Sequence, residues 1–190
     1  MTQTRPTFYY DFIDPLSSLM ARELALVDDP GVDGIQWIPF ELRPPPTPLT
    51  SLEDPEIAAR WGAAGTEDDE GRPFSPHQLV PWTRKAHELV LHAAESDQDT
   101  RVRELVFEAY LFGGRDIGRV DVLVDVARVV GLDTTEAKAV LDVDRFEARV
   151  ADLRVEATDL GITTTPTLRV GDRLLQGFHN AAGIRTFLGT

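Results

Sequence analysis

Asp14-Pro15-Leu16-Ser17 follows the aromatic run Thr7 to Phe12, at what reads as a strand-to-helix turn. Aspartate is a good N-cap, and proline suits the first helical position. The open N–H groups and positive dipole of a helix start stabilise an anion. Asp14 brings its own carboxylate to that place. The sequence therefore predicts a satisfied N-cap whose charge fills the anion site, with a general base as the other role open to it. Ser17, and Ser18 beside it, carry hydroxyls that can donate to a ligand's sulfur or carboxylate, or serve the first helical turn. Neither has a histidine near it in sequence to make it a nucleophile. The chain has no cysteine. Thiol–disulfide exchange needs a thiolate, so that chemistry is closed to its own side chains.

The other groups that could do chemistry are scattered. His87 and His92 lie five apart, a poor metal spacing on a helix. His77 falls in a loop, and His179 sits beside the last helix start, where it can cap or face a cleft. No histidine joins carboxylates at a recognisable metal spacing, so no metal site is expected. Trp82, Phe12 and Trp37 can line an apolar cleft or fill the core. Gly113-Gly114-Arg115 follows a helix and lacks the pattern of a phosphate loop. Glu67-Asp68-Asp69-Glu70 reads as solvated surface.

The elements that must position these groups follow from pattern. Thr7 to Phe12 predicts a strand. Apolar Leu16, Leu19, Met20, Leu24 and Val27 predict a helix over 15–27. Residues 28–34 form a turn cluster, and 35–40 a second strand with Pro39 near its edge or end. The run Arg43-Pro44-Pro45-Pro46-Thr47-Pro48 stops regular structure. A helical block follows, with helices expected over 55–62, 83–95, 101–112, 120–130, 134–141 and 144–160, the last ended by Gly161. The stretch 66–76 is expected to be a mobile loop. Thr167 to Val170 and Arg173 to Gln176 alternate around Gly171-Asp172 and predict a hairpin, and 180–188 closes the chain as a helix. The order is βαβ, a helical block, then ββα.

Composition narrows the classes. A chain of 190 residues that is 42% hydrophobic can bury a core without a disulfide or metal. Its 32 acidic against 19 basic residues give a formal charge of -13, which repels nucleic acid and anionic membrane surfaces. No stretch approaches the roughly 20 apolar residues of a membrane span. The polar start, Met1 to Thr7, has no basic-then-apolar leader, so a cytoplasmic location is expected.

Several segments in order carry a family likeness: Asp14-Pro15-Leu16-Ser17; Pro39-Phe40-Glu41-Leu42-Arg43-Pro44; Pro81-Trp82-Thr83-Arg84-Lys85-Ala86-His87; Phe107-Glu108-Ala109-Tyr110-Leu111-Phe112 with Gly114-Arg115-Asp116-Ile117; and Thr165-Pro166-Thr167. Together they resemble the DsbA-like superfamily: FrnE-type disulfide oxidoreductases, 2-hydroxychromene-2-carboxylate isomerases and kappa-class glutathione transferases. The resemblance implies an α/β fold, a thioredoxin fold with a large helical insertion between its βαβ and ββα halves. Residues 1–48 and 161–190 would form the discontinuous thioredoxin-like domain, and 49–160 the helical insertion.

It further implies a cis peptide before Pro166, in a turn that faces the first helix and can pair with an extended thiol-peptide or glutathione-like ligand. Redox relatives keep cysteines at the positions of Asp14 and Ser17, and the isomerase and transferase members keep a serine at that of Asp14. The implied site is Asp14 and Ser17 as catalytic groups, with Ser18, Arg43, Trp82, Thr165, Pro166 and His179 around the ligand. No cofactor is required, and glutathione is the expected thiol ligand. The implied function is a glutathione- or small-thiol-binding isomerase or transferase acting on an apolar or aromatic substrate. The alternative is a non-catalytic binding descendant. Kappa-type relatives imply a homodimer.

Overall fold

The protein was analysed as a computed structural model, which describes residues 5–27 and 34–189. The sheet grows from β1, Thr7–Tyr10, which is buried along its whole length. Phe8 and Tyr10 enter one apolar cluster and Tyr9 another, the period of two of a strand covered on both faces. α1, Pro15–Ala25, follows, and β2, Gln36–Pro39, returns parallel to β1, with Thr7 opposite Gln36 and Tyr10 opposite Pro39. The predicted turn cluster lies outside the described residues except for Gly34. β2 is an edge strand, which accommodates Pro39 at its end.

The block between the sheet halves begins with β3, Thr50–Ser51, and α2, Pro55–Ala64. β4, Leu79–Val80, pairs antiparallel with β3. Strands of two residues are too short to show a period, and the sequence pattern gives no sign of them. α3, Arg84–Ala94, and α4, Asp99–Phe107, come next. The single helix expected over 101–112 is instead α4 followed by a π-helical turn at Glu108–Phe112. Gly113 N–H reaches back to Glu108 O at 2.9 Å, and Ser75 N–H bonds the Leu111 carbonyl at 2.7 Å, so the loop before β4 satisfies a group in the wider turn.

α5, Val120–Val129, α6, Thr134–Asp142, and α7, Glu147–Asp159, complete the block. α7 starts later than expected because Asp144 takes a left-handed φ of 56°, which a right-handed helix excludes. Gly161, at φ 81°, ends it. β5, Thr167–Val170, then pairs antiparallel with β1, and β6, Arg173–Gln176, with β5, giving the order β2-β1-β5-β6. α8, Ala181–Leu188, closes the fold, capped by Asn180.

Phe8, Tyr10 and Phe12 share one cluster with Leu89, Val106, Tyr110 and Leu123, so sheet and intervening helices pack around a common core. On the other face Tyr9, Ile38 and Phe40 meet Leu153, Ala157 and Ile162.

In the stretch 66–76, Glu67, Asp69 and Glu70 are solvated as their acidity predicted, and Asp68 is the exception. Asp68 is 5% exposed. It accepts the N–H groups of Glu70 and Arg72 at 3.0 and 2.8 Å, and pairs with Arg72 at 2.9 Å and Arg22 at 3.0 Å. Burial alone would raise its pKa, but these bonds and the arginines pull it down to about 2.

Candidate functional site

β1 delivers the chain to Asp11, and a tight turn, with Asp14 N–H bonded to Asp11 O at 3.3 Å, brings it to the head of α1. Asp14 has the extended backbone of an N-cap, φ -100° and ψ 105°, but its side chain makes no capping hydrogen bond. This corrects the expected cap. The carboxylate turns inward, where Oδ2 accepts from Ser17 Oγ and from Thr165 Oγ1, each at 2.7 Å. Two buried hydroxyl donors thus replace the helix N–H groups as its partners. Asp14 and Ser17 are wholly buried, and Thr165 nearly so.

Arg60, carried on α2 where that helix packs beside α1, completes the cluster. Its Nη1 lies 3.5 Å from Asp14 Oδ1. The same guanidinium donates to Thr165 O and to Thr164 Oγ1, both at 3.0 Å. Asp14 Oδ1 itself has no hydrogen-bond partner among the described residues. Burial raises the Asp14 pKa to about 6, against the opposing pull of Arg60, Thr165 and Ser17, while Asp11 adds to the rise. Asp14 is therefore a carboxyl able to hold or release a proton near neutrality.

The Thr165–Pro166 peptide is cis. Thr167 Oγ1 bonds Thr164 O at 2.7 Å, and Gly177 N–H bonds Pro166 O at 2.9 Å, which ties this turn to the β5–β6 hairpin. Asp11, also wholly buried, anchors the other side. Its Oδ1 accepts Phe12 N–H and its Oδ2 accepts Leu42 N–H, both at 2.7 Å. His87 Nε2 lies 3.3 Å from Asp11 Oδ1, with the ring packed against those of Tyr10 and Phe12.

The structure thus gathers Asp14, Ser17, Thr165 and Pro166. The other expected ligand residues lie elsewhere. Ser18 lines a cleft of about 430 Å³ between α1 and α4. Arg43 bonds Pro48 O at 3.1 Å and pairs with Asp54 at 3.8 Å. Trp82 donates to Thr47 O at 2.8 Å and lines a separate cavity of about 350 Å³. His179 lies 3.2 Å from Gln176 O, at the end of the hairpin. Among the described residues, no three histidine or carboxylate side chains are placed to hold a metal ion.

Sequence reasoning missed Arg60 and Asp11. Asp11 stood next to the motif and ended an apolar strand, a signal that a buried, backbone-bonding carboxylate was needed there. Nothing in the pattern of α2 marked Arg60.

This architecture places the chain in a known group: residues 7–189 match the DSBA-like thioredoxin domain, and the protein belongs to that family. Uncharacterized protein YwbO of Bacillus subtilis (strain 168) is 31% identical over 163 residues, covering 80% of this chain and 78% of that one. Among solved structures it is similar to a probable DsbA oxidoreductase, SCO1869 from Streptomyces coelicolor, with a TM-score of 0.78 at 20% identity, covering 97% of this chain and 88% of the other. It is also similar to 2-hydroxychromene-2-carboxylate isomerase, with a TM-score of 0.68 at 18% identity, covering 96% and 91%. At these identities the structural likeness is one of fold.

Proposed function

We propose that this chain is a small-molecule-binding member of its family that performs no dithiol exchange. Exchange proceeds by attack of a thiolate on a disulfide, and the chain has no cysteine to supply one. The cleft of about 430 Å³ between α1 and α4 supports the binding part of the reading, and a second observation argues against a thiol at the head of α1. Asp14 Oδ2 takes the hydroxyls of Ser17 and Thr165, each at 2.7 Å, while Arg60 takes Thr165 O at 3.0 Å. The donors that would hold a ligand's sulfur, and the carbonyl that would pair with an extended peptide, are engaged inside the protein. A thiol such as glutathione would have to displace Arg60 and then face a buried carboxylate. The ligand is accordingly expected away from the helix end.

The test is a calorimetric titration with reduced glutathione at pH 8, beside an insulin-reduction assay. The expected result is no saturable heat up to about 5 mM, an affinity weaker than roughly 3 kcal/mol, and no reduction. Glutathione binding that moves the Asp14 carboxyl resonance would overturn the reading.

A second reading is favoured by the Asp14 pKa of about 6. A carboxyl poised near the working pH is suited to proton transfer, and one structural neighbour is an isomerase. In that reading Asp14 moves the proton, Ser17 and Thr165 orient it, and Arg60 swings aside to admit an apolar or aromatic substrate. Loss of turnover in Asp14→Asn, with substrate binding retained, is the expected mark of it.

A further inference from the structure

We propose that the cavity lined by Trp82, between the proline-rich run before β3 and the start of α3, is a binding site for a primary ammonium carried on an apolar body. The inference goes beyond the reading above and does not depend on it. The cavity shares no lining residue with the α1–α4 cleft, and neither Asp14, Ser17, Arg60 nor Thr165 lines it. It encloses about 350 Å³, within the usual range for small-molecule pockets.

Its apolar lining is Pro45, Leu49, Leu79, Pro81 and Trp82. Leu49 is left 47% exposed and Trp82 38%, so a ligand with an apolar body gains by covering them. The indole N–H of Trp82 donates to Thr47 O at 2.8 Å, which fixes the ring as part of the lining. The face of an indole attracts a cation.

The charged lining selects the sign of the ligand. Arg84 is shared between buried Glu41 at 2.7 Å and Glu147 at 3.1 Å. Lys85 is shared between Asp144 and buried Glu88. Arg119 closes a fork on Asp121, with both bonds at 2.9 Å. Each lining cation is thus already answered by a carboxylate, and an incoming anion would meet those acids too.

Asp116 is the exception among the lining acids. It is half-buried, and among the described residues no lysine or arginine lies within ion-pair distance of it. Its Oδ1 accepts Gly118 N–H at 2.9 Å, which holds the carboxylate in place and leaves Oδ2 for a ligand. Asp116 Oδ1 and the Trp82 carbonyl come within 3.1 and 3.4 Å of the point where a side chain at Gly118 would begin. A carboxylate and a carbonyl so close together suit the three N–H donors of a primary ammonium. The net charge of -13 favours the approach of a cation.

The experiment is calorimetry on the intact chain at pH 7.5 in about 0.15 M salt, which screens the long-range field. The probes are cyclohexylmethylamine, cyclohexylmethanol, cyclohexanecarboxylate and methylamine. Cyclohexylmethylamine should bind with a Kd below about 1 mM and at least about tenfold more tightly than the alcohol of the same shape, the acid or bare methylamine. Asp116→Asn keeps an acceptor for Gly118 N–H and removes the charge, and it should abolish the preference for amine over alcohol. Trp82→Leu keeps an apolar wall without the indole face, and it should weaken the amine at least about threefold while helical circular dichroism stays unchanged. Should either variant not fold, the wild-type ratios and the other variant still decide the matter. Absent amine binding, equal affinity for the alcohol, the acid or methylamine, or indifference to Asp116→Asn or to Trp82→Leu would each overturn the proposal. Such a failure leaves the reading of the Asp14 cluster standing, because that is measured separately by glutathione.

Discussion

Thr165 Oγ1 donates to Asp14 Oδ2 at 2.7 Å, joining residues 151 positions apart in a buried contact. It links the head of α1 to the proline-bearing turn, so the two halves of the sheet domain meet through a hydroxyl–carboxylate bond. Because Arg60 holds both partners, the contact is three-sided, and α2 from the intervening block is part of it. The chemistry of the site therefore depends on the protonation of a single carboxyl.

That dependence has a sign. The Asp14 pKa is about 6 when folded, against 3.8 ordinarily. Between those values the folded protein binds more protons than the unfolded chain, so stability falls as pH rises through the window. Above about pH 6 the full cost of the buried charge, up to about 3 kcal/mol at roughly 1.36 kcal/mol per pKa unit, is present. Asp14→Asn keeps an acceptor for both hydroxyls and removes the charge. Urea denaturation should show it more stable than wild type at pH 7.5, with the difference closing toward pH 4. A less stable Asn variant at pH 7.5 would mean that the Arg60 pair outweighs desolvation.

Arg60→Met removes the opposing pull on the same carboxyl. An opposite charge at this range lowers a carboxyl pKa by about 1–3 units. The Asp14 midpoint should therefore climb above 6 by roughly one unit or more in the variant. Carbon-detected NMR of the carboxyl resonances reads this directly. An unmoved midpoint would show that Arg60 acts only on the Thr164–Thr165 backbone and hydroxyl.

Much of the fold was legible in local pattern. The aromatic, β-prone run of Thr7 to Tyr10, the Asp-Pro start of α1 and the Gly171-Asp172 hairpin are determined by neighbours in sequence, and each appears in the structure. What escaped depends on distant partners. Asp14 was expected to cap its own helix because the alternative acceptor role needs Thr165. Asp68 looked solvated among acids because its burial needs Arg22, which lies on α1. Arg60 had no signature, since an arginine on a short helix reads as surface until α2 is placed against α1. The π-helical turn likewise depends on Ser75 bonding Leu111 O.

The Asp68 network makes its own prediction. Arg72 is held by Asp68 at 2.9 Å and by Glu108 at 3.0 Å, and Asp68 also accepts the N–H groups of Glu70 and Arg72. Asp68→Ala removes that acceptor as well as the charge. Local opening should become easier without global unfolding, so amide hydrogen exchange at Glu70 and Arg72 should be at least about tenfold faster. The expected observation is lost protection at these two amides with a near-unchanged melting temperature. Unchanged exchange would show that the loop is fixed by its other backbone bonds.

Tyr110 is fully buried, and its hydroxyl has no hydrogen-bond partner among the described residues. Burial pushes its pKa well above the ordinary range, with Asp11 and Asp116 adding to the shift. An unsatisfied buried hydroxyl costs about 1–3 kcal/mol, so Tyr110→Phe should raise stability by roughly 1 kcal/mol in urea denaturation. Destabilisation instead would reveal a partner for the oxygen, most simply a buried water.

The last prediction returns dithiol chemistry to the chain. Asp14 and Ser17 stand at the spacing of a Cys-x-x-Cys pair, and their side-chain oxygens are 2.7 Å apart, so sulfurs at both places would lie within reach of one another. The Asp14 side chain leaves the N–H groups of α1 uncapped, and Arg60 stands beside it. Both features favour a thiolate, whereas burial opposes one. In Asp14→Cys with Ser17→Cys, an internal disulfide should form under glutathione disulfide, and the thiol at position 14 should titrate about one unit below the ordinary 8.5. Mass spectrometry and thiol absorbance measure the two outcomes. A disulfide that forms with an unshifted thiol would show that burial cancels the helix end. A pair that stays reduced would mean that the turn before α1 holds these side chains at an angle a sulfur bridge cannot span.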